Sequence, residues 1–546
     1  MSKYSRLIVR TVLPVILSLI GNGLLAQNTL VQNPDIILTY RLEEALKGQN
    51  YYLHTADRPF LQRDLMRYGK DSTIIAFEKD TVKAIGRFSK GHLLDVKKKW
   101  FGFKLDPSIH YEAGYSSKTG FAGDFQTGLR MQFNFGKMVT VFGDARYGAM
   151  KPLSYVEDHI TRNNVMPGGD FAYKGAGGFH NYYDLRGYIS IAPTKAFNVQ
   201  AGYDKMFFGN GHRSLLLSDN ADKFLFLRLN TRFWRIKYTN VFANFRDISS
   251  ANGRRAGGQN KFGTFHNLSL NIGKRFNISL FEGIIWQGAD STGSRGFEPN
   301  YLNPIILYRP VEFSLNSPDN AVVGFDMRYR IGKNNHLYGQ IIIDEFLLQE
   351  VISGIKKAID PEDESIKVGF WGNKQGFQLG LKGYDLFGLD GLFYLFEFNY
   401  VRPFTYTHVT IEQNYGHKNE ELAHPLGANF IESVNILRYR KGNWLAELMV
   451  NYSKAGRDTS NRSFGGDIFK SYLLRQGEYG HAMTQGNETN TIFTRAEVSY
   501  VLNATMNFRI FGGVSYRNEW TEIDSGSEFY GFFGISTSLY DGRVDY

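Results

Sequence analysis

Residues 210–214 (Asn-Gly-His-Arg-Ser) combine side chains that could form the nucleophile and base of a hydrolase. In an extended backbone His212 and Ser214 share one face, and Asp219 follows shortly after. A serine hydrolase needs a histidine to take the serine proton and an acid to orient that histidine. The alternative is a loop folded into the interior, where Arg213 and Asp219 make charge-assisted hydrogen bonds. We favour the folded loop, because the flanking glycines suit a tight turn. The sequence also shows no arrangement of residues that would activate the serine as a nucleophile.

Two other polar groups have simpler explanations than catalysis or metal binding. The triplet 157–159 (Glu-Asp-His) is similar to the acid–histidine groups of barrel proteases, but it lies in a long polar segment where such a triplet is usually solvated. His54 beside Arg58 suits packing and helix capping. The histidines show no H-E-x-x-H spacing or other metal-ligand cluster. We therefore predict no catalytic residue, no metal site and no cofactor, and a protein that is not an enzyme.

Aromatic residues in the long polar segments are a second kind of candidate site, because aromatic rings can stack on sugar rings and arginine can bind acidic groups. This set comprises Tyr301, Tyr308, Phe313, Tyr415 and Tyr479, with Arg309 and Arg475. For any one of them, packing within a loop or an interface girdle is the simpler explanation. The candidate residues facing a lumen or a glycan are His212, Arg213, Asp219, Tyr301, Tyr308 and Arg309.

Alternating apolar and polar residues predict that β-strands carry these candidates. The clearest apolar set is Ile492, Thr494, Ala496, Val498, Tyr500 and Leu502. The pattern returns at 506–516 and 529–540. A strand sends successive side chains to opposite faces, so this period produces one apolar and one polar face. Each run has about ten residues, which is the length that a tilted strand needs to cross a bilayer.

The connections between the predicted strands alternate between short and long. From residue 103 onward we count about eighteen strands, and single-chain barrels have an even number. The tight turns are Gly136-Lys137, Thr194-Lys195, Gly273-Lys274, Gly332-Lys333 and Lys441-Gly442. The long segments between them are 149–180, 208–221, 247–260, 288–320, 347–373, 403–427 and 454–490. A soluble sandwich would not need this alternation, so the pattern predicts an all-β fold, a transmembrane antiparallel β-barrel.

The composition agrees with a barrel that meets lipid. Among 546 residues there are 44 Phe, 33 Tyr and 58 Gly, which suits aromatic girdles and tight turns. The chain has no cysteine, which excludes disulfides, thiolate chemistry and a lipid-modified N-terminal cysteine. The formal net charge is +10. No aromatic–basic module stands out, so we predict no nucleic-acid partner. An acidic surface glycan or lipid headgroups are better candidate partners for the positive charge.

The N-terminus has the features of a secretory signal. Lys3, Arg6 and Arg10 precede an apolar stretch that is too short and broken to span a membrane. We expect a signal peptide at 1–26, cleaved near Ala26. The predicted location of the mature chain is therefore the outer membrane, where only a closed barrel can span the lipid without a helix anchor.

The predicted domain division continues with a small periplasmic helical segment at 27–100. Helix-compatible apolar spacing occurs at 36–46 and at 58–68. Asp57 is expected to cap the second piece, with a proline in its first turn. Residues 101–546 form the predicted outer-membrane β-barrel.

An ordered set of motifs across the mature chain resembles the Wzi-like outer-membrane barrels of capsule assembly, and specifically their gliding-motility relatives of the RemB type. The most telling stretch is 207–220 (Phe-Phe-Gly-Asn-Gly-His-Arg-Ser-Leu-Leu-Leu-Ser-Asp-Asn). The others are 53–59, 165–168, 303–309, 317–320 and 337–346. The resemblance implies an eighteen-stranded barrel whose base is blocked by periplasmic helices, with a role in holding surface polysaccharide or in cell-surface motility.

The functional hypothesis is therefore a non-enzymatic outer-membrane barrel for capsule attachment or assembly, or for gliding motility. Its expected partners are outer-membrane lipid and either surface polysaccharide or the motility and secretion machinery. An outer-membrane diffusion porin is the main alternative, because about eighteen strands enclose enough space for a water channel. A barrel hydrolase using Ser214 is the third.

Overall fold

The computed structural model describes most of the region that we predicted to be a barrel. The described residues are 53–61, 64, 91–136, 138–248, 258–290, 293–303, 319–345, 347–538 and 544–546. The predicted signal peptide, most of the predicted helical segment, and the candidates Tyr308, Arg309 and Phe313 lie outside this set. Those expectations stay predictions.

Within the described residues, eighteen antiparallel strands form one closed barrel. They are β1 Phe101–Ser116, β2 Gly120–Phe135, β3 Val139–Lys151, β4 His180–Ile191, β5 Phe197–Asp204, β6 Phe224–Phe233, β7 Ile236–Asp247, β8 Gln259–Ile272, β9 Phe276–Gln287, β10 Asn320–Ile331, β11 Asn335–Glu345, β12 Lys374–Tyr384, β13 Leu392–Val401, β14 Phe430–Lys441, β15 Trp444–Arg457, β16 Asn487–Asn503, β17 Phe508–Trp520 and β18 Ser525–Ser536. The predicted fold class is confirmed.

The barrel closes by pairing its last strand with its first. The β18–β1 register runs from Tyr530 opposite Ser116 to Ser536 opposite His110. A short strand, Leu94–Lys97, pairs with the start of β1. Closure leaves the barrel without a free sheet edge, so the backbone groups of the strands are satisfied by their neighbours.

The two faces of the barrel wall have opposite chemistry. In β12 the side chains of Phe377 and Leu379 point outward and are 44% and 50% exposed. Gln378 and Lys382, on the opposite face of the strand, point inward and are 3% and 2% exposed. A soluble protein would bury the apolar set and expose the polar one. This inverted arrangement is typical of a barrel whose outer surface contacts lipid, and we call that outer surface the lipid-facing belt.

Connections at the two ends of the barrel differ in length, as predicted. We call one end the short-turn end, because its turns include 192–196, 273–275 and 332–334. At the other end, the long-loop end, two connections are also short, at 117–119 and 521–524. These two turns flank the seam between β18 and β1.

Among the described residues, two α-helices lie in long loops at the long-loop end. They are α1, Ser154–Asn163, and α2, Leu348–Ile359. Across the part of the chain that the structure describes, no helix has the length and apolar character needed to pass through a bilayer.

Leu379→Arg tests whether the outer face meets hydrocarbon, because Leu379 is at the centre of β12. A charge on the lipid face near the bilayer midplane costs about 2–4 kcal/mol, whereas the cost near an interface is about 0–1 kcal/mol. The control is Leu389→Arg, which places the same substitution at an exposed leucine in the turn after β12. Urea unfolding in lipid vesicles should show the larger loss for Leu379→Arg. Equal losses would contradict the membrane-spanning assignment.

Candidate functional site

The loop between β5 and β6, residues 205–223, folds into the barrel, and we call it the lumen loop. Its residues Leu215, Leu216 and Leu217 are fully buried. They belong to a core that includes inward-facing Phe281 of β9 and Ile342 of β11. A polar barrel interior is usually wet, so this apolar packing shows that the loop fills the lumen rather than lining it.

A second inward segment, residues 402–429 between β13 and β14, holds the lumen loop in place. The hydroxyl of Tyr406 donates to the backbone oxygen of Leu215 at 2.7 Å, and that of Tyr415 donates to the backbone oxygen of Leu216 at 2.6 Å. Both tyrosines are buried. These bonds supply donors to carbonyl groups that would otherwise be buried in an apolar core without a hydrogen-bond partner. Tyr415, one of the aromatic candidates, thus has a packing role inside the barrel.

The described N-terminal residues also lie inside the barrel, towards the short-turn end. Asp57 pairs with Phe208 of the lumen loop in a two-residue antiparallel bridge. Its carboxylate contacts Arg228 of β6 and Lys237 of β7, the latter at 2.8 Å. His54 lies 2.8 Å from the hydroxyl of Ser269 in β8.

The expected capping role of Asp57 is therefore wrong. Its carboxylate neutralises two cations of the barrel wall instead of receiving helix amide protons. The reason is electrostatic, since buried Arg228 and Lys237 need a counter-ion more than a helix end needs a cap.

Arg213 is the centre of a buried charge network that anchors the lumen loop. Its guanidinium lies 3.0 Å from Glu432 of β14 and 3.1 Å from Asp545 in the C-terminal tail. The backbone amides of His212 and Arg213 both donate to Glu397 of β13, at 2.8 and 3.0 Å. Burial opposes the charge on Arg213, but the carboxylates of Asp545 and Glu432 outweigh it and raise the pKa of the guanidinium.

This network shows how Arg213 holds the folded loop inside the barrel. The acidic partners of Arg213 are Glu432 and Asp545. The backbone oxygen of Asp219 accepts a hydrogen bond from Lys205 at 2.8 Å. The acidic partners of Arg213 lie hundreds of residues away in sequence, so no local pattern could identify them.

The C-terminal tail enters the lumen after β18 ends. Asp545 lies 2.9 Å from the ring nitrogen Nε2 of His212. The backbone oxygen of Tyr546 accepts from Arg517 of β17 at 3.1 Å, and Tyr155 of α1 donates to the backbone oxygen of Val544 at 2.9 Å. The last residues thus join the lumen loop to the long-loop end.

The structure does not assemble the serine–histidine pair of a hydrolase. The hydroxyl of Ser214 donates to the backbone oxygen of Phe208 and lies near Gln340, and Ser214 is fully buried. His212 points to Asp545 instead. Among the described residues, no group of three or more His, Asp or Glu side chains is arranged to hold a metal ion.

A mostly half-buried cluster of aromatic and basic residues lies at the long-loop end. We call it the outer cluster, and its members are Phe370, Trp371, Lys374, Tyr472, Arg475 and Tyr479. The rings of Trp371 and Tyr472 are 4.5 Å apart, and the guanidinium of Arg475 lies 4.1 Å from the Trp371 ring. Lys374 lies 4.6 Å from the Tyr472 ring. Tyr479 is 43% exposed.

Backbone hydrogen bonds between two long loops fix the outer cluster. The amide of Trp371 donates to the backbone oxygen of Glu478 at 3.0 Å, and the amide of His481 donates to that of Gly369 at 2.9 Å. Gly369 has φ +75°, and a Cβ there would lie 2.8 Å from the His481 backbone. Glycine is therefore needed where the loops meet.

The outer cluster combines aromatic rings with two cations that are already paired. Its half-buried rings offer apolar surface for stacking, while Arg475 is ion-paired with Glu478 and Lys374 with Glu345. Sequence reasoning named Tyr479 and Arg475 but missed Trp371 and Tyr472. The available signal was the Phe370-Trp371 pair between Gly369 and Gly372 in a long loop.

Tyr301 is placed differently from the outer cluster. It is fully buried beside Trp286, with ring centres 4.8 Å apart. Its hydroxyl donates to Asp319 at 2.7 Å, and Arg295 forms a two-pronged ion pair with the same carboxylate. These contacts make Tyr301 part of the packing at the base of a long loop.

No protein-family model and no curated protein matches the chain. It is similar to a solved structure described as Wzi, an outer membrane protein involved in group 1 capsule assembly in Escherichia coli and a carbohydrate binding β-barrel. That match has 13% identity and a TM-score of 0.53, and it covers 93% of this chain and 99% of that one.

Two further solved structures match at lower similarity. OprD from Pseudomonas aeruginosa shows 10% identity over 79% of this chain and 94% of that one, with a TM-score of 0.41. OccAB2 from Acinetobacter baumannii shows 8% identity over 80% and 98%, also with a TM-score of 0.41. The similarity to Wzi, at this level of identity, establishes the fold, which is that of an outer-membrane β-barrel.

Arg213→Met tests the anchoring of the lumen loop. The substitution leaves Glu432 and Asp545 buried without their cation, and breaking such a pair costs about 3–5 kcal/mol. Arg162→Met, at an exposed position in α1, is the matched control. We expect a lower free energy of unfolding in urea and faster proteinase K cleavage of the lumen loop for Arg213→Met only. If both variants resist denaturant and protease like the wild type, the network does not anchor the loop.

Proposed function

We propose that this chain is a non-enzymatic outer-membrane protein whose long-loop end binds a cell-surface polysaccharide. Through that binding it would serve the attachment or assembly of a capsule, or gliding motility. The observation that carries the proposal is the outer cluster, in which Trp371, Tyr472 and Arg475 combine stacking surfaces with a cation. Wzi, which shares the fold, is described as a carbohydrate binding β-barrel, and this supports the proposal.

The filled lumen favours this proposal over the diffusion porin. A porin needs a continuous aqueous path, but the lumen loop and the segment 402–429 occupy the barrel interior with buried residues. An ion crossing at mid-height would have to displace the apolar side chains of Leu215 and Leu217. Binding at the rim needs no such path.

The geometry of Ser214 likewise supports a non-enzymatic role. Its hydroxyl is buried and bonded to a backbone oxygen. A nucleophile needs a base within hydrogen-bonding reach and access to substrate. Ser214 has neither in this arrangement.

Binding of extracted surface polysaccharide to the purified barrel tests the proposal. Trp371→Ala should weaken binding about tenfold, or about 1.4 kcal/mol, because it removes the largest ring of the outer cluster. The matched control is Trp444→Ala. Like Trp371, Trp444 packs on a tyrosine (Tyr500, at 4.9 Å), but it is exposed and lies at the short-turn end. Equal losses for both variants, or no binding by the wild type, would contradict the proposal.

The cellular role is tested in a strain that lacks the protein. Loss of retained capsule with normal spreading assigns the protein to capsule attachment or assembly. Loss of spreading with normal capsule assigns it to motility. Restoration by the wild type but not by Trp371→Ala links either defect to the outer cluster. An unchanged capsule together with unchanged spreading would overturn both roles.

Planar-bilayer recording tests the porin alternative directly. The wild type should show no large steady conductance, because the lumen is filled. Arg213→Met should open more often, since it releases the lumen loop from Glu432 and Asp545. A large steady current through the wild type would favour the porin.

A further inference from the structure

Helix α2 exposes an apolar stripe. Leu348, Ile352, Ile355 and Ile359 are spaced by four, three and four residues, which places them on one face of a helix. Their exposed fractions are 63%, 37%, 57% and 78%. Single exposed leucines are ordinary. Four aligned large apolar residues on a short helix, however, indicate contact with another apolar surface.

The opposite face of α2 is polar and faces the protein. Glu350, Ser353 and Lys357 are each only partly exposed. The carboxylate of Glu350 accepts from the amide of Phe370 at 3.3 Å, and Lys357 donates to the backbone oxygen of Asp363 at 2.8 Å. A surface helix of a soluble protein packs its apolar face inward. In α2 the orientation is inverted, as it is in the barrel wall.

The stripe continues the lipid-facing belt. The helix begins three residues after β11 ends at Glu345. Within β11, Ile341 points outward and is 48% exposed, and Leu347 between strand and helix is 47% exposed. Along the chain, exposed apolar residues therefore continue from the strand to the start of the helix, with Glu345, which is paired with Lys374, between them.

We propose that α2 lies in the headgroup region of the membrane leaflet at the long-loop end, with its apolar stripe inserted among the lipid chains. Exposed Lys356 flanks the stripe and suits contact with lipid phosphates. The occupant of the stripe is thus a lipid surface. A stable protein partner buries about 1,200–2,000 Å² in total, far more than four side chains on a three-turn helix provide.

This anchor has a consequence for the outer cluster. Glu350 of α2 bonds to the backbone of Phe370, a member of that cluster. A membrane-seated α2 would therefore hold one side of the outer cluster at a fixed height above the lipid. The membrane contact itself does not depend on glycan binding, and its test can succeed where the glycan test fails.

The experiment uses the full chain folded in vesicles of phosphatidylethanolamine and phosphatidylglycerol. Because the chain has no cysteine, a single introduced cysteine carries the only thiol-linked fluorophore. Ile355→Cys places the probe in the stripe. Gly354→Cys is the matched control, since its side of the helix is exposed and a Cβ there meets no atom within 4 Å.

Nitroxide-labelled lipids should quench the Ile355→Cys probe several-fold more than the Gly354→Cys probe, and aqueous iodide should show the reverse order. Equal quenching of both probes by iodide would overturn the proposal, because the stripe would then face water. Protection of the Ile355→Cys probe from iodide without quenching by lipid nitroxides would also overturn it, since a protein or a second copy would then cover the stripe. Heat-modifiable electrophoretic mobility verifies that each variant forms the barrel.

Discussion

Backbone hydrogen bonding inside a membrane is the constraint on which this structure depends. Hydrocarbon offers no partner for N–H and C=O groups, so each strand must pair on both sides and the last must pair with the first. The pairing of β18 with β1 meets this requirement. Closure also fixes which side chains face lipid, as Leu379 does, and which face the interior, as Gln378 does. The polar interior that results must then be neutralised or hydrated.

Neutralisation explains why distant parts of the chain meet in the lumen. Inward cations such as Arg228 and Lys237 are paired with Asp57 from the N-terminal segment. The lumen loop brings its own cation, Arg213, which is paired with Asp545 near the C-terminus. Both chain ends thus supply counter-ions to the barrel centre. The lumen loop is thereby anchored inside the barrel, while the outer cluster is fixed separately by backbone hydrogen bonds between its own two loops.

The sequence predicted the barrel well, because the period-two pattern is local and follows from facing lipid on one side. Glycine turns such as Gly273 and Gly332 lie where the pattern placed them, each with positive φ. The site was less predictable. Arg213 was identified as a buried anchor, but its partners Glu432 and Asp545 depend on how loops fold across the lumen. Similarly, the stacking of aromatic residues depends on contacts between irregular loops. Such contacts leave no periodic pattern in the sequence, so they could not be predicted from it.

Amide hydrogen exchange of the lumen loop, measured on the barrel in vesicles, tests the central claim most directly. The amides of His212, Arg213 and Leu215 donate to Glu397 and Gln340 inside the filled lumen. The account predicts that they exchange as slowly as amides in the barrel strands. Exchange as fast as in an unstructured peptide would mean an open lumen and would contradict an anchored plug.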